Sequence, residues 1–252
     1  MDDPAAGDDS SFRIFSPRVA AQGEAEVSPR RVALRRIAAA NRDLIADMVG
    51  TQVDHDDLVA VAEELEALAA RFRQERPRSM YEGMGEAALA GGDVTSFFDH
   101  SPMIGLANPL APPIQLEFGE ESVVGRVTFG ALYEGPPGTV HGGFVAAAFD
   151  EVLGSAQAYS GAPGMTARLI VNYRKPTPLH MPLEIEGRFE RREGRKVFTS
   201  GRIVADGVVT AEAEGLFVSM DAARFRALAE GFDRRVAEGS PGAPSEDAGA
   251  SS

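Results

Sequence analysis

GTVHGGFVAAAFDEVLG, residues 138–154, is the stretch from which the rest of the chain is best read. Gly142 and Gly143 stand where a loop gives way to a helix, and the alanine-rich run from Gly142 to about Tyr159 reads as that helix. Phe144, Val145, Ala146–Ala148, Phe149, Val152 and Leu153 make it apolar around nearly its whole circumference, which marks a helix enclosed by other structure. Two strand candidates precede it, IQLEF (114–118) and VVGRVTF (123–129), separated by the turn-like GEES. Four follow it: TARLIVNYR (166–174), LEIEGRFERR (183–192), KVFTSGRIVA (196–205) and VVTAEAEGLFV (208–218). Glu193-Gly194 and Asp206-Gly207 are hairpin signals between the last three. Two strands, one helix and four strands form an α+β order, not βαβ alternation.

Outward from this core, at about 113–220, the chain changes texture. Residues 1–28 hold six acidic and two basic residues among Asp, Ala, Gly, Ser and Pro, and read as a disordered acidic arm. Residues 29–112 read as a helical extension and loop. Ser28-Pro29 is an N-cap followed by proline at the first helical position. Val32, Leu34, Ile37, Leu44, Ile45 and Met48 follow at mostly helical spacing, and Gly50 ends the run. A second helix starts near Asp54, with Leu58, Val61, Leu65, Leu68 and Phe72 on one face, either a packing face or a partner site. Residues 77–113 are rich in Gly and Pro. A C-terminal helix is expected over 221–238 and a disordered tail over 239–252.

The 252 residues contain no cysteine, which excludes disulfides, thiolate metal sites and a cysteine nucleophile. The net charge of −13 argues against nucleic acid as a partner. The acidic start lacks the basic and apolar parts of a signal peptide, and no run is long enough for a membrane span. The expectation is a cytoplasmic protein. His55, His100 and His180 form no metal spacing, so no metal site is expected. Only two lysines occur, Lys175 and Lys196.

Gly142 and Gly143 sit at a helix N-terminus, where backbone N–H groups are unpaired and the dipole is positive. Glycine lets a ligand oxygen come close, so this is a candidate oxyanion or carbonyl site, or simply a glycine helix start. Asp150 and Glu151 lie mid-helix. A carboxylate buried there is costly unless it is paired or functional, and both cannot face water without exposing an apolar face. His141 can act as a general base or fix the helix start through a hydrogen bond.

These residues resemble a known family. YEGPPGTVHGGFVAAAFDEVLG, MTARLIVNYRKPTPL and EGRK, spanning residues 133–196, are similar to the hotdog-fold acyl-CoA thioesterases of the PaaI-like branch. The resemblance implies an antiparallel sheet wrapped around a central helix, and hydrolysis of a CoA thioester to free acid and CoA. It implies Asp150 as general base or nucleophile, and the Gly142 amide as the group that polarises the carbonyl. His141 and Thr166 complete the catalytic set, and Asn172, Arg174, Arg195 and Lys196 fall on coenzyme A contacts. No cofactor is implied beyond coenzyme A as part of the substrate. The helper Asn or Gln that some relatives carry shortly before HGG is Gly135 here. A non-catalytic acyl-CoA-binding module and a hotdog hydratase are the competing readings.

Three physical expectations accompany the resemblance. Gly142 and Asp150 are eight residues apart, about 12 Å along one helix. They cannot serve one thioester unless a second copy supplies one of them, so a homodimer or dimer of dimers is expected. Strand alternation places Thr166, Arg168, Ile170, Asn172 and Arg174 on one face. Residues 168–202 carry nine basic and four acidic side chains, either a phosphate-binding patch or a solvated hairpin.

Overall fold

The computed structural model describes residues 27–73, 98–162 and 164–220, with isolated positions 224, 227, 228 and 231. The acidic arm, except for its last two residues, and the tail lie outside the described residues. So does most of the C-terminal helix, although positions 224, 227, 228 and 231 are helical. The chain divides into two compact units, one built from 1–52 and 82–220, the other from 53–81 and 221–252.

In the second unit, α2 (His55–Ala70) is capped by Asp54, whose Oδ1 accepts the Asp57 N–H at 3.2 Å. None of its side chains is buried, and Leu58, Val61, Leu68 and Phe72 of the expected packing face are exposed.

In the first unit, α1 (Pro29–Met48) starts where Ser28 Oγ accepts the Arg31 N–H at 3.3 Å, with proline at the helix start. Only Ala38 of α1 is buried, so polar contacts anchor the helix. Arg31 and Arg35 both reach Asp99, at 2.6 and 2.9 Å, and Arg42 donates to the Asn108 carbonyl at 2.8 Å.

Six strands form one antiparallel sheet: β1 (Gln115–Phe118), β2 (Ser122–Thr128), β3 (Gly164–Tyr173), β4 (Pro182–Glu193), β5 (Lys196–Ala205) and β6 (Val208–Ser219). Their order is β1-β2-β4-β5-β6-β3. The chain crosses from β2 to the far edge through α3 (Gly142–Ala156), then returns to lay β4 beside β2. Two tight hairpins set the registers. Asp206 and Gly207 both have positive φ, as a type I′ turn requires. In the β4–β5 turn the positive φ falls on Gly194 alone, with Glu193 already paired to Lys196, so this turn centres on Gly194-Arg195.

α3 buries Val145, Ala148, Phe149, Val152, Leu153 and Ala156, a helical stripe laid on one sheet face. Each buried Val, Leu or Phe contributes about 2 kcal/mol through area removed from water. The sheet accepts the helix because four strands offer glycine beneath it. A Cβ on Gly125 would lie 2.8 Å from Val152 Cγ2, and one on Gly187 2.9 Å from Val152 Cγ1. A Cβ on Gly201 would lie 2.9 Å from Leu153 Cδ2, and one on Gly215 would meet Thr199 and Phe217 at 2.6 and 2.7 Å, with Leu153 at 3.4 Å. α3 ends at Ala156, and a 3₁₀ turn over Gln157–Ser160 completes the run that the sequence reads as one helix.

Candidate active site

The loop before α3 is closed on itself. Gly135 N–H donates to the Thr139 carbonyl at 2.9 Å, and His141 N–H to the Tyr133 carbonyl at 2.8 Å. The Glu134 carboxylate accepts the Gly138 N–H at 2.7 Å and is thereby used within the loop. A Cβ at Gly135 would lie 2.7 Å from His141 Cα. The loop packs too tightly there for a side chain at Gly135.

His141 is the N-cap of α3, its Nδ1 accepting the Gly143 N–H at 3.0 Å. Of the two readings open for this residue, fixing the helix start is the one its contacts show. Gly142 follows at the first helical position. Its N–H has no partner among the described residues, as expected at a helix start. Its carbonyl accepts the Tyr173 hydroxyl at 2.8 Å. Phe144, Tyr133 and Phe129 stack edge-to-face behind this turn, with centroids 4.9 and 5.3 Å apart. Burial pushes the Tyr133 hydroxyl up to about 12, against the opposing charge of Arg42, so it stays a donor, to the Leu110 carbonyl at 3.2 Å.

Two turns further along α3, Asp150 is exposed and Glu151 is not. Asp150 Oδ1 accepts the Thr166 hydroxyl at 2.7 Å. Its other oxygen has no protein partner among the described residues and is open to a water. Glu151 points about 100° away around the helix, where its Oε2 accepts the buried Ser101 hydroxyl at 3.3 Å. Burial raises the Glu151 acid above its ordinary range; the Ser101 hydrogen bond opposes this and the Asp150 charge adds to it.

One expectation needs correction. Thr166 pairs with Phe217 but Arg168 pairs with Leu216, so Ala167 is an extra residue in a β-bulge. Cross-strand partners share a face. Thr166 therefore lies with buried Phe217 on the helix side, while Arg168, Ile170, Asn172 and Arg174 lie on the other. Alternation counts every residue as a step and misses this switch. Below the bulge Leu169, Val171 and Tyr173 point to the helix side, which takes the Tyr173 hydroxyl to Gly142. Sequence analysis gave Tyr173 no role; a tyrosine on the apolar parity at a strand end was its only signal.

Asn172 and Arg174 line a cavity of about 440 Å³ on the outer sheet face, together with Glu186, Arg188, Arg202 and Glu212. Arg174 is paired with Glu212 at 2.7 Å and Arg202 with Glu186 at 2.8 Å. The basic excess of 168–202 is thus partly offset by Glu212, which β6 brings in from outside that window. Arg195 and Lys196 are at the other end of the sheet. Arg195 donates to the Ser219 carbonyl at 3.1 Å, and Lys196 pairs with Val218, itself opposite Met165. In one chain, then, Arg195 and Lys196 accompany Thr166, whereas Asn172 and Arg174 accompany Gly142. No group of three or more acidic or histidine side chains suited to a metal occurs among the described residues, nor does a helix long and apolar enough to cross a membrane.

Comparison with known proteins bears on this arrangement. The Thioesterase superfamily profile matches residues 137–212. Acyl-coenzyme A thioesterase THEM4 of Xenopus laevis is 41% identical over 93 residues, 36% of this chain and 42% of that one. The Bos taurus protein of the same name is 37% identical over 94 residues, 36% of this chain and 38% of that one. The match therefore spans less than half the length of these curated relatives. The crystal structure of a thioesterase superfamily protein is similar with a TM-score of 0.62 at 38% identity, over 74% of this chain and 90% of the other. With that relative matched over nearly its full length, and with an antiparallel sheet laid around one central helix, this chain belongs to the thioesterase superfamily and has its hotdog fold.

Proposed function

We propose that the chain hydrolyses acyl-CoA thioesters, with Asp150 as the carboxylate that activates water. The observation that carries this reading is the 2.7 Å hydrogen bond from Thr166 to an exposed Asp150 on the very helix whose N-terminus offers a Gly142 N–H with no partner among the described residues. The hydroxyl fixes one carboxylate oxygen and leaves the other for the water proton. Water attacks the thioester carbonyl carbon as Asp150 takes its proton, and the oxyanion is met by the Gly142 N–H at the positive end of the helix. The C–S bond then breaks, and the CoA thiolate leaves with a proton. Direct attack by Asp150 to form an anhydride uses the same groups. His141 holds the helix start and so aims the Gly142 amide.

The reading requires two copies. Gly142 and Asp150 are about 12 Å apart on one helix, too far to serve one carbonyl. β3 is an edge strand of ten residues whose Met165, Ile170 and Tyr173 are exposed. A two-fold axis beside it sets the Thr166 end of one β3 against the Tyr173 end of the other. Asp150 then meets Gly142 of the partner subunit. The same pairing would bring Arg195 and Lys196 of one chain to the strand end that carries Asn172 and Arg174 in the other, and these four are the proposed coenzyme A contacts.

The test is thiol release from a panel of acyl-CoA esters. Wild type is expected to release thiol, and Asp150→Asn to lose about a hundredfold or more in kcat with an unchanged fold. Near-wild-type turnover in that variant would end the carboxylate assignment. No thiol release from any ester would leave the acyl-CoA-binding module or the hydratase in its place.

A further inference from the structure

We infer that Ser101 and Glu151 are positioning residues for Asp150, and that the N-terminal helix α1 holds Ser101 in place, so that the extension is a working part of the active site. The inference rests on the reading of Asp150 given above.

It is carried by a continuous set of contacts. Arg31 and Arg35 of α1 converge on Asp99, which is 5% exposed, through three side-chain hydrogen bonds of 2.6 to 2.9 Å. Two residues on, Ser101 is also buried, and its hydroxyl is fully committed. The oxygen accepts the Met103 N–H at 3.2 Å and the Ile104 N–H at 3.3 Å, which uses both lone pairs. Its proton is therefore directed outward, and the acceptor it meets is Glu151 Oε2. Gly105 closes the turn, since a side chain there would meet the Ser101 and Asp99 carbonyls. The Ile114 N–H, bonded to the Met103 carbonyl at 3.0 Å, ties the turn to the residue that precedes β1.

Glu151 is hard to explain otherwise. It is a largely buried carboxyl with no ion pair among the described residues, on a helix whose other inward side chains are apolar. Such a group is a cost to the fold unless its hydrogen bond has a use. One residue before it stands Asp150, whose exposed side chain has, among the described residues, only the Thr166 bond to orient it. The Ser101–Glu151 contact adds a second polar tie to this turn of α3, beside the buried stripe that seats the helix, so the backbone that carries Asp150 is anchored next to the residue whose carboxylate Thr166 holds.

Thiol release by the full chain, with kcat and KM read separately, tests this. Ser101→Ala and Glu151→Ala are each expected to lower kcat about tenfold with KM little changed, as a small misplacement of a reacting group does. The double variant is expected to be no worse than either single one, since both remove the same contact. Ser101→Thr, which keeps the hydroxyl, is expected to restore kcat. Asp99→Asn, which loosens the α1 clamp, should lower kcat in the same direction. Glu151→Met fills the space without an acceptor and is expected to melt no lower than wild type while losing the same tenfold, so it decides the case even if Ser101→Ala folds poorly. Wild-type kcat in a folded Glu151→Met enzyme overturns the inference, as does full additivity in the double variant. Asp150→Asn, run alongside, separates the two claims. If it is inactive while the Ser101 and Glu151 variants keep kcat, only the positioning role falls. If it is active, the carboxylate reading falls and the inference falls with it.

Discussion

Asp150 and Glu151 differ by one methylene and stand next to each other, yet one is in water and the other is largely withdrawn from it. The helix turns by about 100° per residue, so one side chain clears the sheet edge and the next is carried towards the residues around Ser101. The difference has a measurable sign. The fold raises the Glu151 acid above the 4.5 of a free side chain, chiefly by burial. As pH rises through the interval between the unfolded and folded values, the folded chain keeps a proton that the unfolded chain has given up, and stability falls. Glu151→Gln cannot titrate. Melting temperatures of this variant and wild type are expected to coincide near pH 3.5 and to separate as pH rises, with the variant higher. A gap that does not change with pH would contradict the burial of this carboxyl. Asp99 behaves in the opposite sense. Burial would raise its acid, but Arg35 and Arg31 outweigh that and hold it below the usual range, so its contribution is lost as pH falls through the lowered value.

At the scale of elements, glycines decide how close α3 comes to the sheet. A Cβ at Gly187 would lie 2.9 Å from Val152 Cγ1 and 3.1 Å from the Val152 carbonyl oxygen, and the backbone atom cannot rotate away. Gly187→Ala is expected to cost about 1–3 kcal/mol and to lower kcat, because the displaced helix carries Asp150. A thermal melt and a thiol-release assay read both effects; an unchanged melt would show that the helix yields more easily than the packing implies. The strands, the central helix and both hairpins were legible in the sequence, because period-two runs and Gly-containing turns are local signals. The cap at Ser28 and the end of α1 near Gly50 were legible for the same reason. The bulge at Ala167 was not. It arises from the pairing of β3 with β6, and nothing within β3 marks it, so the faces of Thr166 and Asn172 were read as one. Nor was the contact between Ser101 and Glu151, which joins residues fifty positions apart with no motif around the serine.

For the whole molecule, the reading of the site stands or falls with association. One chain has the Gly142 amide and the Asp150 carboxylate, the two groups of the proposed site, at different places on one helix. Ile170→Lys puts a charge on the open β3 edge and is expected to reduce the particle to the 26.7 kDa of one chain in light scattering, with turnover falling in step. A monomeric variant that keeps its activity would refute the shared site. The charge arithmetic changes meaning at this scale. A chain of −13 looks hostile to a polyanionic ligand, but the sheet places basic side chains at both ends of β3: Arg174, paired with Glu212, at one end, and Arg195 and Lys196 at the other.

Among the described residues the sheet ends in two edges, β1 and β3, and an open edge is in principle a template for unlimited growth. Here the edges are unequal. β1 has four residues, too few to seat another long strand, and β3 has ten but is kinked by the extra residue at Ala167. A bulged edge accepts a neighbour in few registers. The consequence for the proposed pairing is arrested polymerisation: a β3 edge taken by one like edge would be used up, and the four-residue β1 would offer little to a further copy, so association would stop at a pair instead of extending into a fibre.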